Sequence, residues 1–319
     1  MRAVFTQDRV CRADNCEVQE EMCSRARILL VDDQPVLQGL IADYLRDHYD
    51  VSVAGSGEEA LPLLDEHDFD LLIADVNMPG MRGPELVAEA RRRKPGLKTA
   101  LITGYPIDEF IGAALEHEIG SIISKSIPFD FEELSTIIDG LITEQFFGLE
   151  RYMASGTSIQ QFRVRNAGDI ARIRETILDQ PEVEDWPEQR KLGLKLALDE
   201  SITNAAYHSN RIEKGGRFFL SEDQEIIVYC GQDLEKIGIS VVDKGGRLTR
   251  DTILRKFDAC VTQDEEYFYQ DSGRGLFIIR NMVDRFIINI RRGVRTELIA
   301  LLYLRKHEVG HRPILINEI

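Results

Sequence analysis

The stretch Leu71-Leu72-Ile73-Ala74-Asp75-Val76-Asn77-Met78-Pro79-Gly80-Met81 is a continuous apolar run that ends on a carboxylate and then a Pro-Gly turn. A run without polar alternation is apolar on both faces, so it reads as a strand covered by helices above and below. Four further runs match it: Ile28-Leu29-Leu30-Val31, Val51-Ser52-Val53-Ala54, Thr99-Ala100-Leu101-Ile102 and Ser121-Ile122-Ile123-Ser124. Stretches of helical character separate them. That alternation predicts a doubly wound, five-stranded parallel sheet over residues 25–146, an α/β domain.

Ligands of such sheets bind beyond the carboxyl ends of the strands. The first run is followed by Asp32-Asp33, the third by Asp75, the fourth by Thr103-Gly104 and the fifth by Lys125. Carboxylates converging on one crevice repel by about 4 kcal/mol per close pair at an effective dielectric of about 20, unless a cation lies among them. Magnesium suits hard oxygen ligands and retained waters. Such an ion would draw a phosphoryl group onto Asp75, with Lys125 pairing to its charge and Thr103 donating a hydrogen bond. One acid at a strand end is an ordinary helix cap. The match at all these strand ends carries the reading.

On these residues, Arg27 to about Phe146 resembles a response-regulator receiver domain. The resemblance implies a flavodoxin-like fold, Asp75 as phosphoacceptor, and Mg2+ held by Asp32, Asp33, Asp75 and the backbone carbonyl of Asn77. It also implies an upstream histidine kinase or phosphotransfer protein as donor. There are two departures: Ser126 and Ile127 separate Lys125 from Pro128, where the family has proline directly after the lysine, and Ile122 stands where the family has a rotating aromatic. Both leave the phosphorylation chemistry in place.

Phe131, Leu134, Ile137, Ile138, Leu141 and Ile142 form a helical stripe. The apolar character continues through Phe146, Phe147, Leu149, Tyr152 and Met153, more than a plain linker exposes. A homodimer contact, or docking of one domain on the other, would cover it. Residues 147–160 read as the linker, broken by Ala154-Ser155-Gly156-Thr157-Ser158. Beyond it come strand signals at Phe162–Val164, Glu225–Tyr229, Ile237–Val242, Phe286–Ile290 and Thr296–Leu304, the last two joined tightly at Gly293. Ala167–Leu178 reads as a helix and Pro181–Pro187 as an acidic loop. In Leu196–His208 the side chains Glu200, Asn204 and His208 recur every four residues, so they share one helix face. A carboxylate there can accept a proton and a carboxamide oxygen can ligate magnesium; a solvated polar stripe has the same spacing. Asp243-Lys244-Gly245-Gly246 ends a strand, and Asp271-Ser272-Gly273-Arg274-Gly275 opens a helix whose amides favour an anion.

In this order, residues 161–306 resemble the ATP-binding domain of the anti-sigma-factor serine kinases, within the GHKL family of histidine-kinase and gyrase-type ATPases. The resemblance implies an α+β sandwich, Glu200 as general base, Asn204 as ligand of a second Mg2+, and Asp243 as adenine contact. Gly245, Gly273, Arg274 and Gly275 would shape the phosphate pocket of ATP, with Thr296 near the base and His208 also at the nucleotide. An anti-anti-sigma (STAS-type) protein would be the substrate and a sigma factor the competing partner. Arg247 stands where the family's first glycine box has its second glycine. The following lid carries the acidic, aromatic run Asp264-Glu265-Glu266-Tyr267-Phe268-Tyr269. These departures favour an alternative, a phosphorylation-controlled binding scaffold with weak or no transfer activity.

Among 319 residues, 55 acidic and 39 basic side chains give a formal charge of −16, which disfavours direct binding to DNA or an anionic membrane. No apolar run reaches the roughly 20 residues of a membrane span, and residues 1–24 lack a signal-peptide core, so a cytoplasmic protein with a flexible N-terminal extension is expected. Cys11, Cys16 and Cys23 lack zinc-site spacing and read as free thiols. Residues 307–319 read as a C-terminal tail.

Overall fold

The five apolar runs form a parallel sheet of order β2-β1-β3-β4-β5, from β1 (Arg27–Val31), β2 (Asp50–Ala54), β3 (Leu71–Asp75), β4 (Lys98–Thr103) and β5 (Ser121–Ser124). The structure, a computed structural model, describes residues 25–104, 109–117, 119, 121–125, 129–209, 218–262, 274–304 and 314–318. Alternate residues of each strand face opposite layers, as the pleat requires. Ile28, Leu30, Leu71 and Ile73 pack with α1 (Pro35–Leu45) and α5 (Phe131–Thr143). Leu29, Val31, Leu72 and Ala74 pack with α2 (Gly57–Glu66), α3 (Gly83–Arg93) and α4 (Ile111–Glu116).

The second sheet has the order β11-β9-β10-β8-β7-β6 and is antiparallel except for the β11–β9 pair. Its strands are β6 (Ile159–Val164), β7 (Ile226–Gln232), β8 (Lys236–Asp243), β9 (Arg285–Arg291), β10 (Arg295–Tyr303) and β11 (Ile314–Glu318). One face is covered by α6 (Ala167–Leu178), α8 (Glu188–Asn204), α9 (Arg250–Thr262) and α10 (Arg274–Met282). The segment 307–319, expected as a tail, therefore supplies a strand: Ile314, Leu315 and Ile316 are buried and extend the sheet beside β9. Part of the acidic loop is also helical, as α7 (Pro181–Glu184) with proline opening it.

The apolar run after α5 docks one domain on the other. It crosses the second face of the second sheet through a 3-10 turn (Leu149–Tyr152), where Phe146, Leu149, Tyr152 and Met153 join Ile287, Ile299, Leu301 and Leu315 in one buried cluster. Gly238 is what lets the turn approach, since a Cβ there would lie 2.8 Å from both Leu149 Cδ1 and Met153 Sδ. Phe147 stacks under the Arg295 guanidinium at 3.7 Å from its ring centre. Strand β11 lies against β5, Ser121 Oγ of β5 donates to Asn317 Oδ1 at 3.4 Å, and Arg285 pairs with Glu133 of α5 at 3.1 Å.

Because three buried aliphatic side chains contribute about 1.5–3 kcal/mol each, deleting residues 314–318 is expected to reduce the unfolding free energy by at least about 3 kcal/mol. Urea unfolding measures this, and a midpoint equal to that of the full chain would show that β11 is a dispensable tail after all.

Candidate functional site

Two sites emerge, one at the carboxyl end of the parallel sheet and one where β8 ends and β10 begins in the second sheet. In the first, β1 delivers Asp32 and β3 delivers Asp75, both almost fully buried. Lys125, next after β5, reaches between them: its Nζ lies 2.7 Å from Asp32 Oδ2 and 2.6 Å from Asp75 Oδ1. Lys125 N donates to the carbonyl of Thr103 at 2.6 Å, which fixes the ends of β4 and β5 side by side and leaves buried Thr103 next to the lysine. Asp75 Oδ2 accepts from Asn77 N at 3.0 Å, while Asn77 Oδ1 accepts from Arg82. Gln34 N donates to Asp32 Oδ1 at 2.9 Å. The expected phosphoacceptor, lysine and threonine are thus brought together.

Asp33 is not part of the pair; it faces solvent beside Asp32. Among the described residues no three His, Cys, Asp or Glu side chains stand close enough together to hold an ion. The expected convergence of three carboxylates is therefore corrected to a buried pair bridged by a lysine. That pair still fits magnesium, which takes one or two carboxylates and keeps its waters.

Burial pushes the Asp75 carboxyl above its ordinary value of 3.8 despite the Lys125 hydrogen bond, and the charge of Asp32 adds to the rise. For Lys125, burial pulls downward but the hydrogen bonds to Asp32 and Asp75 outweigh it, so its pKa is raised. A raised lysine pKa means that its stabilising contribution is complete below 10.5 and fades only as pH climbs through the folded-state value.

Two residues beyond the expected set shape this site. Gly83 opens α3 so close to β3 that a Cβ would sit 2.1 Å from the Asp75 carbonyl oxygen. The Gly-Pro pair at a helix start was the available signal. Gln38 donates to the carbonyls of Asp32 and Ala54 at 3.0 and 2.7 Å, tying the β1 end to β2.

The second site lies where α8, α10 and β8 meet. Helix α8 starts earlier than expected and ends at Asn204, and a π turn (Ala205–Ser209) replaces its last turn. The His208 side chain lies outside the described residues, as do Gly273 and the run Asp264–Tyr269. Glu200 and Asn204 stay one turn apart on α8 and face the start of α10: a Cβ on Gly275 would lie 2.5 Å from Glu200 Oε2 and 3.1 Å from Asn204 Nδ2. Arg274 opens the same helix and is exposed. Asp243 ends β8 directly opposite Thr296 of β10, and its Oδ1 accepts from Gly245 N at 2.8 Å. Asn204, Asp243, Leu248, Lys256, Leu276 and Thr296 line a cavity of about 20 Å3 between them, room for about one water. Thr296 Oγ1 and Asn204 Nδ2 are buried in its wall without a hydrogen-bond partner. Such orphans are rare unless a ligand satisfies them.

The glycine that the first glycine box most needs is Gly246. It has φ +53°, and a Cβ would lie 2.5 Å from Val294 N and 2.6 Å from the Arg291 carbonyl, under the β9–β10 turn. That turn carries Gly293 at φ +68°, whose N donates to the Gly246 carbonyl at 3.0 Å. Arg247 follows this packing position and does not occupy it.

A model of the response regulator receiver domain matches residues 28–139, and a model of the histidine kinase-like ATPase domain matches residues 163–301. The chain is a receiver domain joined to a histidine kinase-like ATPase domain. The chain is 34% identical over 140 residues to a probable transcriptional regulator of Pyropia yezoensis, covering 42% of this chain and 61% of that protein. It is 38% identical over 102 residues to a response regulator receiver protein of Anaeromyxobacter sp., covering 32% of this chain and 43% of that protein. The chain thus spans less than two thirds of these curated relatives' length. A crystal structure of a CheY-like receiver domain protein from Methanospirillum hungatei matches at TM-score 0.36 and 30% identity, over 38% of this chain and 97% of that one. A receiver domain implies an upstream histidine kinase or phosphotransfer protein. Among the described residues no helix is long and apolar enough to cross a membrane.

Lys125→Met leaves two buried carboxylates facing each other without a countercharge, at a cost of about 2–4 kcal/mol near neutral pH. The deficit should shrink as pH falls toward the raised pKa of Asp75, because protonation removes the repulsion. Urea unfolding at pH 7 and pH 5 checks this, and a deficit that grows on acidification would refute the arrangement.

Proposed function

We propose that this chain is a response regulator whose output is a Mg-ATP-dependent protein serine/threonine kinase, with phosphorylation of Asp75 setting that output. The observation that carries the kinase reading is the convergence of Glu200 and Asn204 on Gly275 at the start of α10. It puts a proton acceptor and a neutral metal-ligating oxygen against a helix N-terminus suited to phosphate.

On this reading Asp75 attacks the phosphorus of a phosphohistidine: a carboxylate oxygen forms the new bond as the bond to the imidazole nitrogen breaks, and the electron pair returns to the donor. Asp32, Asp75 and the Asn77 carbonyl would hold Mg2+, which would supply positive charge against the transferring phosphoryl group. Lys125 then pairs with the phosphoryl charge and Thr103 donates to one of its oxygens. In the ATPase domain Asp243 accepts from the adenine amino group, with Thr296 and His208 beside it. Gly245, Gly273, Arg274 and Gly275 would border the phosphates, and Asn204 would ligate a second Mg2+. Glu200 takes the proton of the acceptor serine or threonine hydroxyl. The acceptor would be an anti-anti-sigma (STAS-type) protein and the competing partner a sigma factor, so that engaging one releases the other; the site of action is the cytoplasm.

A scaffold without transfer activity is the second reading, favoured by a nucleotide cavity of only about 20 Å3. Glu200→Gln separates the two. A kinase keeps its ATP affinity and loses transfer to the partner by about 10²- to 10⁴-fold, the usual worth of a general base. Label transfer from ATP to candidate anti-anti-sigma proteins reads this out, and wild-type protein that binds nucleotide but labels no partner would favour the scaffold.

A further inference from the structure

Helix α9 puts one side chain, Lys256, into the wall of the nucleotide cavity, and α9 is not held by its own domain alone. Lys256, at mid-helix and only 7% exposed, supplies a buried cation to the cavity wall. Sites for drug-sized ligands measure about 300–1,000 Å3. A nucleotide therefore needs part of the wall to move, and α9 contributes Lys256 to that wall.

What α9 touches decides how easily it shifts. Arg250 N, at its first residue, donates to Glu318 of β11 at 3.1 Å, and Glu318 is itself fixed by Arg292 at 2.6 Å. Phe257 lies under the Arg280 guanidinium of α10, 5.5 Å from its ring centre. The remaining flank packs against α4 of the receiver. Ile253, Leu254 and Phe257 of α9 belong to the same continuous apolar cluster as Phe110, Ile111 and Ala114 of the α4 region, all fully or almost fully buried. Packed apolar contacts of this kind do not deform gradually; they hold or they repack.

Helix α4 lies between β4 and β5 in the chain, the two strands that end at Thr103 and Lys125 beside Asp75. A phosphoryl group on Asp75 adds about −1.5 to −2 charges between those strand ends and draws both side chains toward it. The connection that carries α4 is thus anchored at both ends to groups that respond to phosphorylation. Its outer surface rests on the helix that puts Lys256 into the cavity wall.

We propose that α9 is a lid which the unphosphorylated receiver holds shut through α4, with Lys256 as the plug, so that phosphorylation of Asp75 raises nucleotide affinity. This rests on the reading of the cavity as an ATP site. Linkage makes the effect reciprocal: nucleotide that displaces α9 tightens the receiver's hold on a phosphoryl group by the same factor.

The test is a titration of the full chain with a fluorescent ATP analogue and Mg2+, with and without beryllofluoride as the phosphoryl mimic, for wild type and Asp75→Ala. Wild type should bind about tenfold more tightly with beryllofluoride, within the usual range of allosteric coupling, and Asp75→Ala should not respond. Amide hydrogen exchange over residues 250–262 should quicken when beryllofluoride is added. Lys256→Ala should tighten binding to the beryllofluoride-free protein; weaker binding would make Lys256 a nucleotide ligand and overturn its role as plug. Equal wild-type affinity in both states overturns the lid while leaving the ATP site intact. Binding in neither state overturns the ATP site, and the lid with it.

Discussion

Among the described residues, no helix of the ATPase domain covers the second face of its sheet, and the molecule depends on what does cover it. A sheet must bury both apolar faces or expose one. Here α5 and the chain after it supply the cover, with Phe146, Leu149, Tyr152 and Met153 packed on Ile287, Ile299 and Leu301. The contact also seals polar groups that no water could satisfy. Glu297 is buried in the middle of this face, accepts from Ser240 at 2.7 Å, Asn289 at 3.0 Å and Gly148 N at 3.0 Å, and is pushed above the ordinary carboxylate range by burial. One of those donors comes from the linker, and Asn289 in turn donates to the Phe146 carbonyl at 2.9 Å. If the linker lifted away, a half-satisfied buried carboxylate would remain, which is costly.

The same docking gives the receiver a fixed output surface. Its α4, β5 and α5 lie against α9, β11 and the linker, so the edge strand β5 is protected and the ATPase domain is in contact with the elements nearest Lys125. The line Ser121–Asn317–Asn289–Glu297–Ser240 runs from β5 across β11, β9 and β10 to β8. Buried networks of this kind favour one relative placement over others when every member has a partner. The receiver's strand ends are therefore connected to the ATPase domain through packed elements.

The parallel sheet was legible because continuous apolar runs and the residues after them are local signals. Asp32, Asp75, Thr103 and Lys125 could be placed at one crevice from strand order alone. The resemblance to a known family grouped Glu200, Asn204, Asp243, Gly275 and Thr296 around one expected nucleotide pocket, but which of them touch came only with the fold. What escaped was non-local. Asp33 follows Asp32 in sequence, but the chain direction after β1 turns it to solvent, and no spacing rule tells neighbours apart. The β11 strand looked like a tail because its partner β9 precedes it by a long excursion, although Ile314-Leu315-Ile316 carried a strand signal. Lys256 reads as an ordinary helical lysine; only the position of α9 between α4 and the cavity gives it a role. Gly246, rather than Gly245, proved to be the glycine under the β9–β10 turn because that close approach comes from a strand pair some forty residues later.

The receiver and ATPase domains share buried cores, and on that ground they should unfold as one unit. Differential scanning calorimetry of the full chain checks this. Shared cores predict one transition whose calorimetric and van't Hoff enthalpies agree, with a ratio of about 1. Two separable transitions, each matching one domain, would contradict it.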